Sequence, residues 1–160
     1  MSFYEMLEQT GLGTFVRENP SLWGWPAFLT AHTLGMSLVV GLNAAVDLRI
    51  LGVAKEMPIA PMVRLFPFMW FGFALNAFTG TALFMSEATK KGSSLVFLIK
   101  LIFVALAVVV LVLIKRKVFG GPPALAPSGL PDSAKFLAIA SLVFWLAAIV
   151  SGRLMAYLPY

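Results

Sequence analysis

The sequence predicts an all-α integral membrane protein: a four-helix up-down-up-down bundle preceded by an amphipathic helix at the membrane interface. Three observations lead there. Of the 160 residues, 60% are apolar and only 12% charged, about half the charge of an ordinary soluble domain and too little to clothe a soluble surface. Four stretches of about 20 mainly apolar residues recur, the length needed to cross a hydrocarbon core of roughly 30 Å. The segments between them are polar or rich in proline and glycine. Two regions result, an interfacial segment over residues 1–20 and a membrane domain over residues 21–160.

In residues 1–20, Phe3, Met6, Leu7, Phe15 and Val16 recur at near-helical spacing, with Gly11 and Gly13 between them. The acidic Glu5, Glu8 and Glu18, and the lack of a basic start, argue against a signal sequence. The pattern predicts one amphipathic helix lying in the interface, anchored by Trp23 and Trp25.

The spans are expected at about residues 26–46, 65–85, 95–114 and 134–157. The third is apolar except for Lys100, and the fourth except for Lys135, Ser141, Ser151 and Arg153. Pro67 interrupts the second near its beginning. Residues 48–64 hold charges, Pro58 and Pro61; residues 87–94 are short and polar. Residues 115–133 open with Lys115, Arg116 and Lys117 and continue through a proline- and glycine-rich run that breaks a helix. Asp132 or Ser133 is the expected N-cap of the last span. Short connections make neighbouring helices antiparallel.

Charge orients the bundle. The side carrying both termini has Arg17, Lys90, Lys91 and Arg153, whereas the opposite side has Arg49, Lys55, Arg64, Lys115, Arg116, Lys117 and Lys135. Cytoplasmic loops carry the excess of Lys and Arg, so both termini are expected outside the cytoplasm. The net charge of +5 is on this reading a topology signal, with no nucleic-acid partner.

Absences bound the chemistry. Without cysteine there are no disulfides, thiolate metal sites or cysteine nucleophiles. With His32 the single histidine, no bis-histidine site forms within one chain.

Ionisable groups inside a span are costly and normally face the bundle interior. At 1.5 Å per residue, His32 and Lys100 both fall roughly 8–10 Å below the outer surface. Asn76 lies deeper, with Thr79 and Thr81 above it, and Glu87 and Arg153 sit near the outer rim. At 100° per residue, Trp25, Phe28, His32, Met36, Val39 and Asn43 share one stripe; Gly72, Asn76, Thr79, Gly80, Leu83 and Glu87 share a second; Lys100, Val104, Ala107 and Leu111 share a third. Each helix thus turns a polar-bearing face toward one outer chamber. On the inner side Asn43 and Asp47 are one turn apart, and Asp47 is expected to pair with Arg49, Arg64 or the 115–117 cluster as a structural fastening. No acidic group lies deep in the membrane and the third span offers no polar path, which argues against a proton-coupled transporter.

An imidazole in such a bundle is the usual ligand of b-type haem. His32 is then the metal ligand, and opposite it stands Met85, Met155, Lys100 or no residue at all. Lys100 and Arg153 are alternatively placed to neutralise propionates. Asn76 completes the candidate cofactor set, with Phe28, Trp70, Phe73, Phe78 and Phe84 available to wall a flat cofactor. The competing expectation is a cofactor-free accessory or scaffold subunit, packed by its glycines and associating with partner membrane subunits or with itself.

The stretches HTLGMSLVVGLNAAVDLRILG (His32 to Gly52) and WFGFALNAFTGTALFMSEA (Trp70 to Ala88) resemble an uncharacterised family of small four-helix bacterial inner-membrane proteins. Its recurring features appear here as His32, Gly35, Gly41, Asp47, Leu48, Arg49, Gly52, Gly80, Phe84 and Lys100, over most of residues 22–117. The resemblance implies a multi-pass protein of the bacterial inner membrane. More distantly, a histidine in one span and a lysine in a later one is similar to the HemJ-type protoporphyrinogen oxidases, and the architecture is loosely similar to CopD-like membrane proteins. The HemJ likeness implies haem binding at His32 and Lys100. Long inner loops and the glycine-containing 47–52 turn depart from that type, so the oxidase activity is not implied.

Overall fold

A computed structural model describes residues 2–120, 130–155 and 157; most of the proline- and glycine-rich run, residues 121–129, lies outside them. Among the described residues there are seven α-helices and no strand: α1 (Phe3–Glu8), α2 (Gly11–Glu18), α3 (Trp25–Ile50), α4 (Phe66–Met85), α5 (Ala88–Gly92), α6 (Leu95–Phe119) and α7 (Asp132–Leu154). A 3-10 helix, Ala60–Leu65, leads into α4. Four helical segments, Trp25–Ile50, Ala60–Met85, Leu95–Phe119 and Asp132–Leu154, are long and apolar enough to cross a membrane, and the chain is a multi-pass membrane protein.

Helix ends follow capping chemistry more than hydropathy. Past their apolar stretches, α3 continues through Asp47 and Arg49, and α6 through Lys115, Arg116 and Lys117. α3 gives way to a turn in which Gly52 takes φ 100°, a left-handed conformation that glycine adopts without steric cost. α6 opens on Ser94, whose hydroxyl accepts from the Phe97 amide at 3.4 Å. Pro67 sits in the first turn of α4, where a missing N–H removes no helical bond. The last span differs from expectation: Pro131 occupies the N-cap, and Asp132 lies in the first turn, held 3.0 Å from Lys135.

The N-terminal segment is two short helices instead of one. Ser2 and Glu5 form a reciprocal capping box on α1, and the Thr10 hydroxyl caps α2 by accepting from Gly13 N–H. A side-chain cap restarts the helix at Thr10 and turns the chain. α2 lies against the end of α4, burying Val16 with Ala82 and Leu83, and a Cβ on Gly13 would fall 3.0 Å from the Met85 carbonyl. Phe3, Met6, Phe15, Leu22 and Trp23 remain exposed.

The four long helices pack as two hairpins, α3 with α4 and α6 with α7, joined through α3 and α7. α3 and α4 run antiparallel in closest approach at Gly35 and Gly72, where a Cβ on either would fall 2.9 Å from the other's carbonyl oxygen. α4 and α6 share little backbone contact. Ring contacts join their ends: Phe84 stacks on Phe97 with centroids 5.0 Å apart, and Phe66 meets Phe119 edge-on at 5.3 Å. The end bearing α1, α2 and α5 is called proximal below, and the other distal. Toward the distal end Val46, Ile50, Phe66, Met69, Leu111, Ile114 and Trp145 are among the residues that form the main apolar core.

Candidate functional site

Polar residues gather at two levels. At the proximal level all four long helices contribute. From α3, the His32 ring places Nδ1 3.1 Å from the Asn76 carbonyl oxygen and 3.1 Å from the Thr79 hydroxyl of α4. The Thr79 hydroxyl hydrogen is committed to the Leu75 carbonyl at 2.7 Å, so both neighbours of Nδ1 present lone pairs. Nδ1 therefore carries the hydrogen, and the neutral ring keeps its free lone pair on Nε2. Asn76 returns the contact, its amide donating to the His32 carbonyl at 2.9 Å. A Cβ on Gly80 would stand 2.9 Å from His32 Cε1; glycine there lets the ring lie flat on α4.

From α6, Lys100 lays its side chain along α7, with Cδ, Cε and Nζ 3.4–3.5 Å from where a Gly152 Cβ would be. It is half-buried and, among the described residues, has no carboxylate within ion-pair distance. Lys91 is tied down at the proximal rim: its ammonium donates to the Leu83 carbonyl at 2.9 Å, pairs with Glu87 at 2.9 Å, and sits 4.9 Å over the Trp25 ring.

The other predicted residues are placed as follows. Met85 is half-buried at the end of α4. Met155 is buried at the C-cap of α7. Arg153 is exposed with its guanidinium 6.0 Å over the Tyr157 ring. Phe28 and Phe78 contact each other at 6.3 Å, while Trp70 and Phe73 pack on the apolar core. The predicted stripes correspond to buried positions at Val39, Asn43, Gly72, Thr79, Leu83, Ala107 and Leu111.

The distal level differs from expectation. Asp47 is fully buried and makes no ion pair with Arg49, Arg64 or the 115–117 cluster. Arg49 instead folds the following loop back, donating to the Met57 carbonyl at 2.6 Å and the Lys55 carbonyl at 3.0 Å. Asp47 Oδ2 accepts from the Asn43 amide at 2.6 Å, and that amide also reaches Ser141 Oγ of α7 at 2.7 Å. Ser141, noted in the sequence only as a polar exception in the fourth span, and Trp145, which the sequence did not single out, are both buried here. A lone serine in an apolar helix gives no signal of the face it occupies.

A haem implied by the HemJ likeness is tested by its donor set. Metal-ligating histidines characteristically donate the far ring N–H to a carbonyl, fixing ring and tautomer. His32 does this toward Asn76, and no hydrogen bond among the described residues engages Nε2. The histidine fits; Arg153 is exposed and stands over the Tyr157 ring. Comparison with family models, with curated proteins and with solved structures finds no match to this chain.

Proposed function

We propose that the chain is a bacterial inner-membrane protein with up-down-up-down topology and both termini outside the cytoplasm, which binds one b-type haem in its outer half through His32 Nε2. The single observation that supports this most is the Nδ1–H bond to the Asn76 carbonyl, which orients the ring and leaves Nε2 available as donor. When bound, haem supplies a reversible one-electron couple, which suits a redox or haem-handling role. The chain's own residues do the holding. Thr79 and Asn76 fix the tautomer, Gly80 admits the ring, and Lys100 offers a positive charge or a ligand from the facing helix. α1 and α2 lie at the interface, with Phe15, Leu22 and Trp23 toward the lipid headgroups, and partner subunits or a second copy engage the remaining surface. Protein purified in mild detergent and supplied with haem should show a Soret band that shifts on reduction and is lost in His32→Ala. Absence of the band, or a band indifferent to that substitution, overturns the proposal.

A second reading is favoured by the reciprocal bonds between His32 and Asn76, which clamp α3 to α4 without any cofactor. In a scaffold subunit His32→Ala lowers the melting temperature of a colourless protein, and no spectral change accompanies it.

A further inference from the structure

The distal cluster is not used by the haem reading. Asp47 is completely buried, and among the described residues no Lys, Arg or His comes within ion-pair distance of it. Its Oδ1 has no protein hydrogen-bond partner, and neither has Trp145 Nε1, the one other buried side-chain atom in that condition among the described residues. The two are complementary, one an acceptor and the other a donor.

They also flank the same contact, that of Asn43 with Ser141. Asn43 and Asp47 are one turn apart on α3; Ser141 and Trp145 are one turn apart on α7. The Ser141 hydroxyl oxygen accepts from the Asn43 amide at 2.7 Å. α3 is antiparallel to α4 through Gly35 and Gly72, α4 to α6 through Phe84–Phe97 and Phe66–Phe119, and α6 to α7 through Lys100–Gly152 and Phe103–Phe144, so α3 and α7 run antiparallel. Side chains in a helix lean toward its N-terminus. Asp47, on the distal side of the contact, therefore leans proximally, and Trp145, on the proximal side, leans distally. Both aim at the level of Asn43 and Ser141.

We propose that the α3–α7 interface encloses a water molecule that accepts from Trp145 Nε1 and donates to Asp47 Oδ1. Buried waters occupy such places, typically satisfying two to four otherwise unmet polar groups. A bare cation answers the carboxylate but not the indole N–H, and an apolar filling answers neither. The inner half of this bundle then carries a hydrated carboxylate sealed from both membrane faces.

Indole-¹⁵N-labelled protein in detergent micelles tests this, with the Trp145 resonance assigned through Trp145→Phe. Magnetisation transfer from water to the Trp145 indole proton is expected in the native chain, unchanged in Ser141→Ala and lost in Asp47→Leu. No transfer in the native chain overturns the proposal. So does its loss in Ser141→Ala, which makes the hydroxyl the relay, or its persistence in Asp47→Leu. An indole resonance that moves when sodium replaces choline overturns it in favour of a cation. Should Asp47→Leu not fold, the native and Ser141→Ala spectra decide.

Discussion

His32 and Asn76 hold each other twice, the imidazole Nδ1 donating to the Asn76 carbonyl and the Asn76 amide donating to the His32 carbonyl. One bond uses the asparagine's backbone and the other its side chain, so substitution separates them. Asn76→Ala removes only the amide donor. The expected loss is about 1 kcal/mol, the scale of an interhelical hydrogen bond in a membrane, read from unfolding in mixed micelles. The orienting bond to the backbone carbonyl survives, so any His32-dependent absorbance is retained.

Gly80→Ala is expected to act on the ring itself. Its methyl falls 2.9 Å from His32 Cε1, closer than carbon atoms pack, and the imidazole must tilt away from α4. A displaced or diminished Soret band, measured beside Gly41→Ala, is the expected outcome. Gly41 meets nothing within 4 Å, so that control should match the native spectrum and gain up to about 1 kcal/mol from helix propensity.

Gly72→Ala strikes backbone. The added carbon lies 2.9 Å from the Gly35 carbonyl and 3.0 Å from the Val39 amide, neither of which can swing aside. α3 and α4 must separate, at a cost of about 1–3 kcal/mol typical of overpacking. Thermal unfolding followed by circular dichroism measures it.

Glu8 makes docking of the N-terminal helices acid-sensitive. Its carboxylate accepts from the Thr89 hydroxyl and amide, which hold its pKa below the ordinary 4.5, with Arg17 and Lys90 adding to the effect. A depressed carboxyl contributes stability that is fully present above its unfolded value and lost as pH falls through its folded one. The α1–α2 segment should therefore stay docked at neutral pH and loosen only below about pH 4.5. Emission from Trp23 and Trp25 reads the transition in a variant lacking the other tryptophans, and Glu8→Gln should remove the pH step.

The absence of cysteine makes sidedness directly measurable. A single cysteine at the exposed Ser93 should react with a membrane-impermeant maleimide in intact spheroplasts. One at Met57, on the far side of the bundle, should react only after permeabilisation. The reverse pattern inverts the orientation inferred from basic-residue counts.

Much of the fold was legible because bilayer thickness dictates it: an apolar run of fixed length has one architecture, and depth follows from counting residues. That arithmetic puts His32 and Lys100 at one level; the structure sets His32 against Asn76 and Thr79 of α4 and Lys100 against Gly152 of α7. What counting could not supply was partners. Asp47 seemed destined for a basic neighbour, since seven basic residues fall on its side, yet Arg49 spends its guanidinium on loop carbonyls and the carboxyl turns inward to Asn43. Ser141 and Trp145 differ from lipid-facing residues only in rotation about α7, which a nearly uniform apolar helix does not encode. At the N-terminus, apolar spacing continues across Thr10 while its capping hydroxyl breaks the helix.

The ring contacts between α4 and α6 have a consequence for access. The α3–α4 and α6–α7 edges are closed by extensive packing and the α3–α7 edge by a smaller contact, whereas this one is pinned at its ends by Phe84 on Phe97 and Phe66 on Phe119, each pair worth about 0.5–1.5 kcal/mol beyond burial. It is the least expensive edge to part, and it borders acyl chains along its length. If the chain binds haem as proposed, this seam is where a hydrophobic planar molecule would enter laterally from the bilayer without crossing the charged rim at Glu87 and Lys91.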